Sequence, residues 1–322
     1  MRGVWIRPSL FEEDAGTPTE VDKELPAKIA IIGRTGENRN VRLGISSLAT
    51  TDASWSAAAA GSPDVSRARY KNIERIVNLA LQTHPRPHYL LLPELSLPVR
   101  WLRTVTRLLQ NANISLICGL DYHHATDKSI HSEAAIMLLD TRLGFRSFVE
   151  LRQPKECAAP SEEHELLSRF GKSWTTNLPS KPLYVHNGFC FGVLVCSELQ
   201  NVGHRLNFQG EVDSLMILSW NKDVETFASL IESASLDVHA YVALVNNRRY
   251  GDSRVRVPAK KSFNKDLCRL RGGLNDHLVV VEIDVESLRK FQSRSKRWPY
   301  PDDEFKPVPE GFSIAQRRRT TP

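Results

Sequence analysis

The sequence predicts an α/β or α+β domain in which helices cover β-sheets, and three observations carry that prediction. Strand and helix patterns alternate through the first half of the chain and then give way to several strands in succession. Residues 67–83 place Tyr70, Ile73, Ile76, Val77 and Ala80 on one face of an amphipathic helix. Residues 189–195 (FCFGVLV) are a short apolar run rich in aromatic and β-branched side chains, as a core strand requires.

Taken in order, residues 1–40 are a lead-in, with an apolar run at 27–33 (AKIAIIG) suited to an edge strand. The segment is open to three readings: an exposed arm, a partner-docking extension, or a connection to something else. Residues 42–48 (RLGISSL) are the first core strand, and the Ala/Ser/Gly-rich stretch 50–65 is expected to be a loop. Pro85 and Pro87 end the first helix. Residues 89–92 form a strand that Pro93 interrupts, presenting Glu94 at its end. A helix at 99–111 leads to strands at 114–119, 134–139 and 147–151. Residues 182–186 and 189–195 are joined by Asn187-Gly188, a strong hairpin signal because both central residues of a type I′ turn need positive φ. A strand at 214–219, a helix at 224–239 and strands at 241–246, 253–258 and 278–283 complete the pattern. From residue 293 the chain is Pro- and charge-rich and is expected to be an extended arm or disordered tail, dispensable for folding. The organisation is therefore a lead-in (1–40), one domain (41–292) and a tail (293–322).

The 322 residues are 41% hydrophobic and 25% charged, enough for a sizeable core. Five scattered cysteines with no CxxC pair argue for a reducing compartment and against a disulfide framework or zinc site. No apolar run reaches membrane-spanning length and the N-terminus lacks a signal-peptide core, so the expected location is the cytoplasm, without a membrane partner. The net charge of +6 permits nucleic-acid contact without arguing for it.

Three residues share a position type. Glu94, Lys155 and Cys196 each follow the end of a strand, where ligands bind in α/β folds. A carboxylate, an amine and a thiol there can converge at one edge. Read alone, Cys196 is equally a small buried hydrophobe. Glu162, Glu163 and Glu165 read equally as a solvated acidic helix start, and Trp220 as ordinary core.

Together these segments resemble the nitrilase, or carbon–nitrogen hydrolase, superfamily. The matching pieces are LLLPELSLP around Glu94, LRQPKECAAPSEEHELL around Lys155 and GFCFGVLVCSEL around Cys196. ICGLDY, SEAAIMLLDTRLG and ALVNNRRYGDSRVRVP add support. Their order and spacing, 61 residues and then 41, make the combination specific. The resemblance spans roughly residues 41–292 and implies a four-layer αββα sandwich. It further implies hydrolysis of a non-peptide C–N bond, an amide in preference to a nitrile, through a thioester and without a cofactor.

In that reading Cys196 is the nucleophile and Glu94 the general base. Lys155 favours the thiolate and holds the oxyanion with the Ser197 backbone N–H. A second glutamate orients the lysine, Glu162 or Glu163, with Glu162 preferred. Trp220 and Asn221 are expected to line the pocket, and homodimerisation is implied. Ser197 replaces the family's usual aromatic residue, and the usual His-Leu pair after the lysine is missing; both changes bear on substrate.

Two rival readings follow. One is a nitrilase-fold binding or regulatory module, since GDSRVRVP and GGLNDHLVVVEID are more faintly similar to domains that accompany reverse transcriptases in bacterial antiviral systems. That similarity implies a reverse transcriptase as partner. The other is a nucleic-acid binder acting through Arg317–Arg319. Among the remaining residues, Cys118 and Cys190 are expected to be inert in strands, and nothing adjacent activates Cys157 or Cys268. Arg254, Arg256, Lys260, Lys261 and Lys265 are expected on solvated faces, and His123, His124 and His164 at the surface or in caps.

Overall fold

The structure, a computed structural model, describes residues 11–12, 29–34, 40–175, 181–295 and 299–320. Most of the lead-in lies outside the described residues. The first elements are β1 (Phe11–Glu12), β2 (Ile29–Ile32), β3 (Asn40–Ser47), α1 (Asp52–Ala59), α2 (Arg67–Gln82), β4 (Tyr89–Leu97), α3 (Val99–Gln110) and β5 (Ser115–Leu120). The middle adds β6 (His123–His124), β7 (Ser129–His131), β8 (Glu133–Asp140), β9 (Ser147–Pro154), α4 (Pro160–Phe170), β10 (Ser173–Trp174), β11 (Leu183–His186) and β12 (Phe189–Val195). A 3-10 turn at Cys196–Gln200 leads to α5 (Val202–Leu206), β13 (Ser214–Ser219) and α6 (Val224–Ala234), which runs into a π-helical turn at Ser235–His239. The last elements are β14 (Tyr241–Asn246), β15 (Ser253–Arg256), β16 (Asp266–Leu270), β17 (His277–Asp284) and α7 (Val285–Gln292).

Two large sheets stack face to face. One has the order β17-β3-β4-β5-β8-β9, the other β1-β2-β11-β12-β13-β14-β15-β16, and β10-β7-β6 form a small third sheet. Strand periodicity builds the layers. Along β4, Tyr89 and Leu91 enter the core between the sheets, while Leu90 and Leu92 face α2 and α3 on the outside. In β8, Ile136 and Leu138 point inward and Ala135 and Met137 outward. Phe227, Ile231 and Ala234 of α6 join the core from the far face of the second sheet. The result is the helix–sheet–sheet–helix sandwich expected. The hairpin forms as read, with Asn187 and Gly188 both at positive φ and Leu183 opposite Gly192.

Several local expectations give way. Residues 50–65 contain α1, because Thr51 caps it through Ser54 N–H and Ala58 and Ala59 bury against Leu95 and Tyr122. Low hydrophobicity concealed a helix that needs only small residues to pack. β4 runs on past Pro93 to Leu97, losing its register with β5 after Leu92 and regaining it at Leu97. Arg254 and Arg256 are buried, the first paired with Asp252 and the second with Asp266 at 2.9 Å and Glu232 at 3.0 Å. Lys265 also binds Glu232, at 2.6 Å. The acidic partners come from strand neighbours and from α6, which single-strand alternation does not show.

The tail is the largest correction. Residues 299–320 fold onto the second sheet, burying Phe305, Phe312 and Ile314. Phe305 bridges Ala259, and Ala315 N–H donates to the Gly210 carbonyl at 3.0 Å. Arg318, wholly buried, donates to Asp213 at 3.0 Å, to the Gly210 carbonyl at 2.6 Å and to Gln292 at 2.9 Å. Arg289 binds the same carboxylate at 2.5 Å, and Cys190 N–H donates to it at 2.8 Å. Arg317 pairs with Glu211. Composition suggested disorder, but three apolar side chains and one arginine reaching a buried acid suffice to order the segment.

Burial raises the Asp213 carboxyl, yet Arg318 and Arg289 outweigh burial and hold it below the usual carboxylate range. Its contribution to stability is therefore complete above the unfolded value of about 3.9 and is lost as pH falls through the lowered folded value. Arg318→Ala strips a partner from a buried charge and should cost about 3–5 kcal/mol in denaturant unfolding at neutral pH. The gap from wild type should shrink only below about pH 4. An unchanged midpoint would show that the tail is not a structural part of the domain.

Candidate active site

Glu94 owes its position to the break in β4. Pro93 cannot donate to the ladder, and Leu95 takes a left-handed φ of 53° that β-strands exclude. The excursion presses on Gly119 of β5, where an added Cβ would stand 2.4 Å from the Glu94 Cα; only glycine fits. Arg69 of α2 fastens the bulge, donating to the Leu95 carbonyl at 3.1 Å and to both oxygens of Asp121 at 2.6 and 3.0 Å.

Lys155 leaves β9 with its N–H bonded to the Ser132 carbonyl at 2.9 Å. Its ammonium is 1% exposed and lies between two carboxylates, 2.9 Å from Glu94 Oε1 and 2.6 Å from Glu162 Oε2. Glu162 sits in the first turn of α4, where Glu162 Oε2 also accepts from Ala159 N–H at 3.2 Å. Its other oxygen accepts from the Tyr122 hydroxyl at 2.6 Å, which in turn accepts from Trp55 Nε1 at 2.9 Å. Of the neighbouring acids, Glu163 is exposed and Glu165 pairs with Arg169. Trp174 closes the lysine's other side, its ring centroid 5.6 Å from Nζ.

Cys196 follows β12 with a φ of 48°, a strained conformation that turns the side chain out of the sheet. Its thiol receives the Ser219 hydroxyl at 3.5 Å and lies close enough to Glu94 for each to shift the other's proton affinity. Glu94 Oε2 also accepts from Trp220 N–H at 3.1 Å. Glu94, Lys155 and Cys196 thus meet at the strand ends with Glu162 behind the lysine.

The charges set the protonation pattern. Burial raises the Glu94 carboxyl; Lys155 opposes this and Glu162 reinforces it, leaving it above the usual range. Burial also works against Glu162, but Lys155 and the Tyr122 hydroxyl hold it low and ionised. Lys155 is kept charged, because the two carboxylates outweigh its burial. The Cys196 thiol is pushed up to about 12 by burial and then by Glu94, with Lys155 only partly offsetting them. Lys155 does favour the thiolate, as expected, but burial and Glu94 outweigh it, and the thiol stays protonated.

The remaining expected residues fall nearby. Ser197 is half-buried in the turn after Cys196. Trp220 packs half-buried beside the cluster of Leu95, Tyr122 and Leu166, and reaches Glu94 through its backbone. Asn221 bonds the Asp223 backbone with both side-chain groups, at 2.8 and 3.1 Å, and organises the turn before α6. Sequence reasoning assigned no role to Tyr122, Trp55, Arg69 or Asp121. Only Asp121 and Tyr122 were marked, by their position just past a strand end in ICGLDY. Glu198 is buried and ties the two halves of the site together. It accepts from Glu156 N–H at 2.7 Å and Val195 N–H at 2.8 Å, and pairs with Lys181. Of the other thiols, burial lifts Cys118 to about 12 and Cys190 to about 11, whereas Cys157 is exposed.

A buried cysteine beside a glutamate–lysine–glutamate cluster on an αββα sandwich is an arrangement suited to acyl transfer. No family model and no curated protein matches this sequence. Solved structures do match in shape. A nitrilase-superfamily amidase from Nesterenkonia AN1 superposes with a TM-score of 0.53 at 14% identity, covering 79% of this chain and 93% of that one. A doubly substituted form in complex with acrylamide gives 0.55 at 14% over 82% and 97%. A third form carries the acetamide moiety of fluoroacetamide on its active-site cysteine, at 0.53 and 13% identity over 79% and 93%. The chain therefore has the nitrilase-superfamily fold.

The protonation pattern is open to direct titration. Thiolate ultraviolet absorbance, taken as the difference between wild type and Cys196→Ala, should show Cys196 ionising only near pH 12. Glu94→Gln removes a charge that opposes the thiolate and should lower that midpoint by at least about one pH unit. A wild-type midpoint at or below the ordinary thiol value of about 8.5 would contradict the assignment.

Proposed function

We propose that the protein is a nitrilase-superfamily hydrolase that cleaves the C–N bond of an amide by way of a thioester on Cys196. The observation that carries this reading is the Lys155 ammonium, buried and bridged between Glu94 and Glu162 beside the thiol. Fold likeness to amidases with an active-site cysteine supports it.

The chemistry follows from the charges. With so little thiolate at rest, attack needs a base, and ionised Glu94 takes the thiol proton as sulfur bonds to the amide carbon. The carbonyl oxygen becomes an oxyanion, stabilised by the Lys155 ammonium and the Ser197 backbone N–H. Glu94 returns the proton to the nitrogen, the C–N bond breaks, and an amine or ammonia leaves a thioester. Water then attacks, giving its proton to Glu94. Collapse of the second tetrahedral intermediate releases the carboxylic acid, and the sulfur recovers a proton from Glu94. The preference for an amide over a nitrile is supported by the fold likeness to amidases.

Ammonia release from a panel of small neutral amides, carbamoyl compounds and glutamine tests this reading. Activity on one class should disappear in Cys196→Ala, and Lys155→Met should lower it about a hundredfold or more. The active form carries ionised Glu94, whose carboxyl burial raises, so kcat/KM should rise with pH through a midpoint above the ordinary value of about 4.3. Wild-type rates in either variant would remove the mechanism.

A further inference from the structure

The formal charge is concentrated on one face of the molecule. Residues 67–110 hold eight of the 43 Lys+Arg and two of the 37 Asp+Glu, so they carry the whole excess of six; the rest of the chain is balanced at 35 of each. Within that segment Arg69 and Glu94 are buried in the site. The remaining cations are exposed, and most line α2 and α3.

These helices are neighbours. β3, β4 and β5 pair parallel, so the crossovers α2 and α3 lie side by side on one face and run the same way, about 10 Å apart. Tyr70 and Trp101 join them with ring centroids 5.3 Å apart. Arg67, Lys71 and Arg75 form a stripe along α2 at steps of about 6 Å, and Arg100, Arg103 and Arg107 form another along α3. Among the described residues, the acids set against them include Glu74 on α2 and Asp276, which is buried and binds Arg75 at 2.8 Å, and Arg103 has a contact of its own. Helix stability does not explain this placement. Neither first turn holds an acid, and Arg67 and Arg100 stand at the positive ends of the helix dipoles.

We propose that the α2–α3 face binds the phosphate backbone of nucleic acid, independently of sequence. Five of the six cations are arginines, whose planar forks suit phosphate oxygens. A lipid surface fits less well, because the apolar faces of both helices are spent on the core through Ile73, Ile76, Leu102 and Val105. The tail, the stretch that composition first suggests for this role, has Arg318 buried and Arg317 paired.

The test is fluorescence anisotropy of a labelled 20-base-pair duplex and of its single strand, titrated with the full chain at 50–200 mM salt. About five neutralised phosphates give a log–log slope near −4.5 for the duplex, a loss of several hundredfold across that range. Arg100→Glu/Arg103→Glu/Arg107→Glu should roughly halve the slope, and Arg67→Glu/Lys71→Glu should reduce it independently if the triple variant melts early. Reversal of Arg317 and Arg319 should leave the slope unchanged. The proposal is overturned by no binding at 50 mM salt, by wild-type slopes in both helix variants, by loss of binding in the tail variant, or by tighter binding to phosphatidylserine vesicles than to DNA.

Discussion

An ammonium at 1% exposure between two carboxylates constrains the chain on every side of it. Removing either partner from such a cluster leaves an uncompensated buried charge at a cost of about 3–5 kcal/mol, so each group must be held where the others need it. The supports come from separate elements. Gly119 and Arg69 allow and fasten the β4 bulge that delivers Glu94. Tyr122, Trp55 and the first turn of α4 fix Glu162. Glu198 ties the residue after the lysine to the end of the nucleophile strand. The sandwich brings these strand ends to one edge.

The surroundings of the cluster explain why Cys196 rests as a thiol. Burial penalises the thiolate most, the neighbouring Glu94 carboxylate adds to that penalty, and the Lys155 ammonium offsets only part of it. The proposed reaction accordingly begins with proton transfer to Glu94, the less tightly satisfied carboxylate, and not with a preformed thiolate. A protonated cysteine also limits reaction with adventitious electrophiles.

Much of this was legible in the sequence because periodicity and turn chemistry are local. The apolar runs of β4 and β8, the Asn187-Gly188 hairpin and the strand-end positions of Glu94, Lys155 and Cys196 are all written in short stretches. What escaped depends on partners distant in sequence. The burial of Arg256 rests on acids from other elements, and α1 is secured by Leu95 and Tyr122. The tail illustrates the point best: Pro- and charge-rich composition signals disorder, yet Arg318 reaches an acid 105 positions earlier that already binds Arg289. The sign of the thiol's shift was equally hidden, since it turns on how deeply Cys196 is buried and how near Glu94 comes, which no short stretch shows.

The central claim is that Cys196 carries the acyl group while Glu94 and Lys155 manage its proton and charge. Intact-protein mass spectrometry, quenched during a single turnover of an amide the protein cleaves and followed by peptide mapping, tests it most directly. The account predicts one transient adduct, the mass of the acyl group replacing a proton, confined to the peptide containing Cys196 and absent from Cys196→Ala. Turnover with no adduct under conditions that trap thioesters, or an adduct on the exposed Cys157, would contradict it.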